Sequence, residues 1–477
     1  MTDPAHWRDE ALNGRLPVLP DEREYSTRGI LATGFTYAVA AWCFLIGGYA
    51  ANVVGAWQGI VALLCGCTIG VALSAVAAAL ACNKYGLEQI DYTKSCFGQR
   101  GALAILVFYT LNQIGWTGMI LVMFGRGLVN VGGAFGLAGG ENLTRIAVAA
   151  SLVLAFVVVV RGVHVLNVFN AIVTPGLLVA TGLLFYAIFK DGGWARVVAA
   201  QPLAPTGDGK LDYVIALECG LGAGFSWWPG IGFLTRNTRS QRASLYPQIV
   251  TGGLAMGLVC VTGLLAGLAF RTWDPTLWMV QVGGRWFGAA ALLLVAIANI
   301  SASAIMMYTG ALGLRHVRWF KQMAWSKLVA IMCVPVLAYV AWPEQLYEKG
   351  SAWLTYNATM FAPIAAILLV DYLILRRQRL NASQIFESAP GGDYYYVGGV
   401  NWPALAAMLI GQALYIWLLN PVDYVAHGPV RTTTATFPAI LVPMVLYYLF
   451  ARVVVIPRGQ GGYGAPTTPR PIRRPNL

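Results

Sequence analysis

Apolar runs long enough to cross a bilayer recur along the whole chain, and they dictate what it can become. Ile146–Val160 and Gly288–Ile305 are examples. A helix needs about 20 such residues to cross the hydrocarbon core. The apolar residues are not confined to one stripe, so these helices meet lipid as well as each other. Only 11% of the 477 residues are charged, too few to cover a soluble surface of this size. Twelve spans are expected, near 29–53, 57–81, 102–124, 144–160, 166–189, 212–235, 247–270, 287–314, 326–342, 353–375, 402–420 and 433–456.

The basic residues collect at one end of these spans. Arg8, Arg15, Arg23 and Arg28 precede span 1. Lys84, Lys94 and Arg100 lie between spans 2 and 3, Arg236, Arg239 and Arg242 after span 6, and Arg315, Arg318, Lys321 and Lys327 after span 8. Arg376, Arg377 and Arg379 follow span 10, and Arg458, Arg470, Arg473 and Arg474 lie in the tail. This asymmetry places both termini in the cytoplasm, with the chain in a bacterial inner membrane. The net charge of +12 therefore reports topology, and nucleic acid is not expected as a partner. The domain plan is a cytoplasmic segment 1–28, a transporter domain 29–456 and a disordered basic cytoplasmic tail 457–477. Met1–Ser26 is polar and does not read as a cleavable leader.

The eight cysteines lie in or beside the spans and read as small membrane-helix residues. Cys65 and Cys67 lack the spacing of a zinc site. His164, His316 and His427 stand at loop ends and are read as forming no cluster. No phosphate-binding loop of the Gly-x-x-x-x-Gly-Lys type occurs, so ATP is not expected to drive the protein. No carboxylate pair or Ser–His–Asp set appears in the spans, which disfavours a membrane enzyme. A channel is the other alternative.

Spans 1 and 6 carry helix-weakening residues: Gly47-Gly48 in the first, and Gly220, Gly222, Gly224 and Pro229-Gly230-Ile231-Gly232 in the second. Freed backbone groups in a membrane must line a cavity or a site. Breaks five spans apart point to an inverted repeat. Close packing by small residues is the competing explanation.

Several local motifs, in order, resemble the nucleobase–cation symporters, the family of cytosine, allantoin and hydantoin permeases. They are Asn112-Gln113-Ile114-Gly115-Trp116-Thr117-Gly118, Phe97-Gly98-Gln99-Arg100-Gly101, Leu234-Thr235-Arg236, Asp371-Tyr372 before Arg376-Arg377, and Asn401-Trp402. The resemblance spans roughly residues 30–450. It implies an all-α fold of ten helices in a five-plus-five inverted repeat (29–189 and 212–375) with two further helices (402–456). It also implies secondary active uptake of a small heterocycle, with no organic cofactor and H+ or Na+ as the driving ion.

The same resemblance implies site roles. Trp116 stacks on the substrate ring, and Gln113, one turn earlier on the same face, meets its polar edge. The second aromatic of the family falls at Gly224, so Phe225 is expected to replace it, with Trp227 and Trp228 adjacent. Gly47 and Gly48 mark the break of span 1. For sodium, Ala298 supplies a carbonyl and Ser301 a hydroxyl, while the second hydroxyl position is Ala302, with Ser303 just beyond. Asn299 is expected to point elsewhere. One sodium ligand is then missing, and Glu218, an ionisable group inside span 6, is a candidate proton carrier, so protons are expected to drive uptake more than sodium; Asp371 is expected to partner Arg376.

Overall fold

The computed structural model describes residues 16–38, 40–161, 176, 179, 181–190 and 193–463. Among these the chain is helical throughout, with three isolated bridges and no named strand. Span 1 is two helices, Thr27–Ala38 and Ala41–Val53 (1a and 1b). Spans 2, 3 and 4 are Ala56–Tyr85, Ala102–Ala134 and Glu141–Arg161. Span 6 is again two helices, Gly209–Phe225 and Trp228–Thr235 (6a and 6b). Then come span 7, Gln241–Phe270; span 8, Arg285–Leu314; span 9, Trp325–Ala341; span 10, Gly350–Leu375; span 11, Trp402–Leu418; and span 12, Thr436–Val455. Thr181–Lys190 is the described part of span 5; most of the remainder expected over 166–189, and His164 before it, lie outside the described residues.

Span 3 runs ten residues beyond its expected end because Arg126 has carboxylate partners there and does not have to reach water. Short helices join several spans, among them Gln89–Phe97 between 2 and 3, Pro275–Gly283 between 7 and 8, and Pro343–Glu348 between 9 and 10. Span 2 ends on Gly86, whose φ of +66 closes the helix at little steric cost. Glu88 then caps the 2–3 helix through the Ile90 amide, 2.7 Å away.

The spans pack as two groups. Span 2 lies along span 6, and span 1 along span 7; span 3 lies along span 8, with spans 4 and 9 against both. Direct contact between the groups through spans 1b and 8 is slight. Spans 2 and 6 approach closely through reciprocal glycines. A Cβ on Gly70 would come within 2.9 Å of the Gly224 Cα, and one on Gly224 within 2.7 Å of the Gly70 Cα. Gly66 and Gly220 repeat the arrangement one turn away. Without a hydrophobic drive between helices, such close backbone contact is what holds them in lipid.

Tryptophans exposed on the outside form two belts. Trp57, Trp286 and Trp417 lie at one end, and Trp319 and Trp402 at the basic end. Between them project Val153, Leu154, Leu441 and Val445, a surface made for lipid. The tail is packed as far as it is described. Tyr463 donates to Asp371 at 2.6 Å and lies under the Arg376 guanidinium, so disorder does not begin at residue 457. Residues 464–477 lie outside the described residues.

Candidate functional site

Both helix breaks occur, but not at the glycines expected to cause them. Span 1 breaks between Ala38 and Ala41, where Ala40 is extended (φ −130, ψ 159). Gly47 and Gly48 sit inside helix 1b. A side chain on Gly47 would strike the Cys260 carbonyl, and one on Gly48 the Trp273 carbonyl. Span 6 turns at Ser226–Trp227, just before Pro229. Gly224 serves the contact with span 2, and Gly222 lies against the Leu354 carbonyl of span 10. Gly47, Gly48 and Gly224 thus serve close packing and do not form the breaks.

The breaks present aromatic rings to span 3. Trp116 is 5% exposed and meets Trp42, two residues past the span 1 break, edge to face at 5.3 Å. Trp42 in turn meets Trp227, at the span 6 break, at 6.4 Å. Phe225 is displaced from this cluster and fully buried in the neighbouring core. Trp228 stacks on Phe361 of span 10 at 5.5 Å. Trp227 is thus the span 6 ring that meets Trp42, in place of the expected Phe225, and Trp42 is a further ring that the motifs do not single out. A tryptophan beside a break is its one signal, and the break itself was read at the wrong residues.

Gln113 is buried beside Trp116 on span 3, and its amide is oriented by span 8. The Thr309 hydroxyl lies 2.9 Å from the Ile305 carbonyl and donates there, so its oxygen accepts from Gln113 Nε2 at 2.6 Å. That leaves Gln113 Oε1 as a buried acceptor with no protein partner, and the Trp116 indole N–H as a buried donor with none. Buried polar groups are nearly always paired, so these two atoms are free to meet a further group.

Span 8 continues the polar line. Antiparallel contacts of Gly313 with Tyr109, Gly310 with Gln113 and Ala296 with Gly127 set its register on span 3. Asn299 and Ser303 share that stripe, so Asn299 faces span 3. Both Asn299 amide atoms and the Ser303 hydroxyl are buried without partners. Ala298 and Ser301 are buried on the same helix. At the span 1 break the Ala38 carbonyl lies 3.0 Å from Cys43 Sγ, and the Ala40 carbonyl accepts the Cys43 amide.

Glu218 lies elsewhere. One carboxylate oxygen accepts from the Ala435 and Thr436 amides at 2.8 Å each, and the other from Tyr415 at 2.6 Å and Thr436 Oγ1 at 2.5 Å. It ties span 6a to span 11 and to the N-terminus of span 12, where amides and helix dipole favour an anion. All four contacts tie helices together and none belongs to the tryptophan cluster, which favours a structural role over that of a proton carrier. Asp371 does partner Arg376, at 2.6 Å, with Tyr447 and Tyr463 on its other oxygen.

Two polar ties cross between the helix groups on either side of the cluster. At the end opposite the basic one, Arg126 of span 3 binds Asp274, which caps the 7–8 helix, and Glu344 of the 9–10 helix. Tyr49 of span 1b joins through the Tyr347 carbonyl at 3.1 Å and stacks on Trp273. A cavity of about 640 Å³ opens beside it, lined by Asn52, Arg271, Trp273 and Tyr424 among others. At the basic end Phe233 of span 6b meets Tyr308 of span 8, and Tyr308 meets Trp325 of span 9. Beyond them His316 faces both Glu88 and Asp91, so His316 does belong to a cluster, contrary to the reading of its sequence position.

Comparison with known proteins agrees with this geometry. The cytosine permease of Escherichia coli (strain K12) is 23% identical over 348 residues, covering 72% of this chain and 75% of that one. The hydantoin permease of Microbacterium maritypicum is 22% identical over 461 residues, covering 89% and 87%. The inward-facing structure of Mhp1 superimposes with a TM-score of 0.75 at 19% identity over 91% of this chain and 93% of that one, which establishes the twelve-span fold with its inverted repeat. Residues 17–437 match the permease family for cytosine/purines, uracil, thiamine and allantoin, and the chain belongs to that family.

Proposed function

We propose that the protein is a cation-coupled importer of one small flat heterocycle, a nucleobase or a related ring such as allantoin or a hydantoin. The observation that carries this is the Trp42–Trp116–Trp227 cluster beside the unpartnered Gln113 carbonyl. Indole faces bury a ring while leaving its edge free to hydrogen-bond. A substrate N–H would meet Gln113 Oε1. Rings with alternating N–H and C=O groups supply such a donor on their edge. The named substrates of the cytosine and hydantoin permeases are of this kind.

Sodium is the coupling ion that the donor set favours. The Ala298 carbonyl, the Ser301 hydroxyl and the carbonyls of the span 1 break are hard oxygen ligands, whereas Glu218 and Asp371 are both held by span 12. The basic asymmetry supports a bacterial cytoplasmic membrane with both termini inside. A strongly active alkaline phosphatase fused to the C-terminus would reverse that orientation.

The decisive experiment is counterflow and uptake in proteoliposomes, after a thermal-shift panel of heterocycles has chosen the substrate. A carrier shows counterflow, and a sodium gradient at equal pH drives accumulation that Ser301→Ala removes. Accumulation driven only by a pH gradient would replace sodium with protons. Flux without counterflow would indicate a channel.

A further inference from the structure

His316 stands just past span 8, and its orientation is set by that helix: Nδ1 lies 3.1 Å from the Gly313 carbonyl. A carbonyl can only accept, so Nδ1 carries a hydrogen. Nε2 then points at Glu88 Oε2 and Asp91 Oδ2, each 3.4 Å away. In the neutral ring this nitrogen would present a lone pair to two carboxylates; with a second proton it donates to both. Glu88 is further fixed by the Ile90 amide, and Asp91 by Lys94. The ring is nearly enclosed, with 11% of its side chain exposed.

Span 8 lies with span 3. The 2–3 helix packs on span 3 as well as on spans 2 and 6b, and Gln89 Oε1 accepts the Gly232 amide of span 6b at 2.6 Å, so this helix links the two packed groups. We propose that His316, Glu88 and Asp91 form a proton-binding latch. A proton on the imidazole ties the end of span 8 to the 2–3 helix and keeps the basic end of the seam shut; its loss lets that end open. The functional consequence, pH-gated exchange with the cytoplasm, rests on the transport path proposed above.

The other charged and titratable groups in reach are Lys94 on the 2–3 helix, Cys82 of span 2, Arg236 at the end of span 6b, Tyr109 of span 3, and Tyr308 and Arg315 on the latch's own segment. Lys94 opposes the imidazolium, and burial opposes it more strongly, yet Asp91 and Glu88 together raise the His316 pKa above its ordinary value. The sign follows. A histidine whose pKa is raised in the closed state holds the latch fully below its ordinary pKa, about 6.5. The contribution is lost as pH climbs to the raised value. Within that window one proton changes the opening equilibrium by up to about tenfold per pH unit.

Hydrogen exchange tests this without any substrate, so its failure is separable from failure of the transport assignment. Exchange is followed by mass spectrometry on the purified full chain, for peptides covering 89–97 and 313–320, from pH 5.5 to 8.5 with labelling times scaled for the intrinsic rate. The wild type should lose protection as pH rises. His316→Asn should be unprotected and flat with pH, and His316→Lys protected throughout. Should either fail to fold, Glu88→Gln and Asp91→Asn carry the test, since each should move the wild-type midpoint to lower pH. A flat wild-type profile, or an unmoved midpoint in both carboxylate variants, overturns the latch. Protection restored at high pH by added Zn2+ would make the ligand a metal and overturn it equally.

Discussion

Replacing Glu218 separates a structural tie from a proton carrier. Its two oxygens take four hydrogen bonds, two from main-chain amides and two from hydroxyls. In Glu218→Gln the amide oxygen can keep the Ala435 and Thr436 amides, while its NH2 faces the Tyr415 and Thr436 hydroxyls, which can rotate to accept. What is lost is charge assistance, about 1 kcal/mol per bond, partly offset because a neutral amide is cheaper to bury. The net loss should be about 1–2 kcal/mol. Glu218→Ala instead leaves two buried amides at the start of span 12 without acceptors, at about 1–3 kcal/mol each, so about 4 kcal/mol in all. On a scale where a domain's whole margin is about 5–15 kcal/mol, that is severe. Urea or thermal denaturation in detergent should therefore rank wild type above Gln and Gln well above Ala, and Glu218→Gln should still concentrate substrate on a sodium gradient. The reasoning fails if Glu218→Gln is as stable as wild type yet binds substrate without accumulating it, which is the behaviour of a lost proton site.

Three more outcomes follow from the packing. Trp116→Ala and Trp227→Ala should each weaken heterocycle binding by about 1–3 kcal/mol in isothermal titration, by analogy with base stacking, whereas Phe225→Ala should leave affinity intact and cost about 3–5 kcal/mol of stability as a core cavity; equal affinity losses at 225 and 227 would put both in the site. Gly224→Val must push spans 2 and 6 apart at the Gly70 contact, so its folded yield and melting temperature should fall more than those of Gly230→Val, whose Cβ meets open space. Arg126→Gln leaves Asp274 buried and unpaired, a loss of about 3–5 kcal/mol, and adding Asp274→Asn should recover part of it; a double variant no better than the single one would show that the ion pair does not hold the end opposite the basic one.

The membrane architecture was legible because its physics is local. Length, apolarity and the sidedness of Lys and Arg are properties of each segment taken alone, and they located the spans and the basic end. The ordered motifs around Gln113-Ile114-Gly115-Trp116 likewise single out Trp116, which meets Trp42, and Gln113 beside it. Glycine was ambiguous because one chemistry serves two ends. The missing side chain at Gly224 and Gly70 lets two helices touch, while the true breaks fall at Ala38–Ala41 and Ser226–Trp227, where the backbone turns beside packed neighbours. No count of glycines distinguishes a helix that is close from one that is bent.

What could not be read was partnership across the chain. Glu218 looks like an isolated acid in an apolar run until residues 415, 435 and 436 arrive beside it, and His316 looks like a loop residue until Glu88 and Asp91 do. The difference between a carrier of protons and a structural tie lies in who supplies the hydrogen bonds, and those donors lie some two hundred residues away. The two helix groups touch little through spans 1b and 8, so the polar contacts that cross at each end, Arg126 with Asp274 and Glu344 at one and His316 with Glu88 and Asp91 at the basic end, carry much of what fixes one group against the other. A substrate stacked among Trp42, Trp116 and Trp227 bears on both groups at once. It can favour one arrangement over another only as far as it binds the two differently, and the side on which it is released is then set by which tie gives way first.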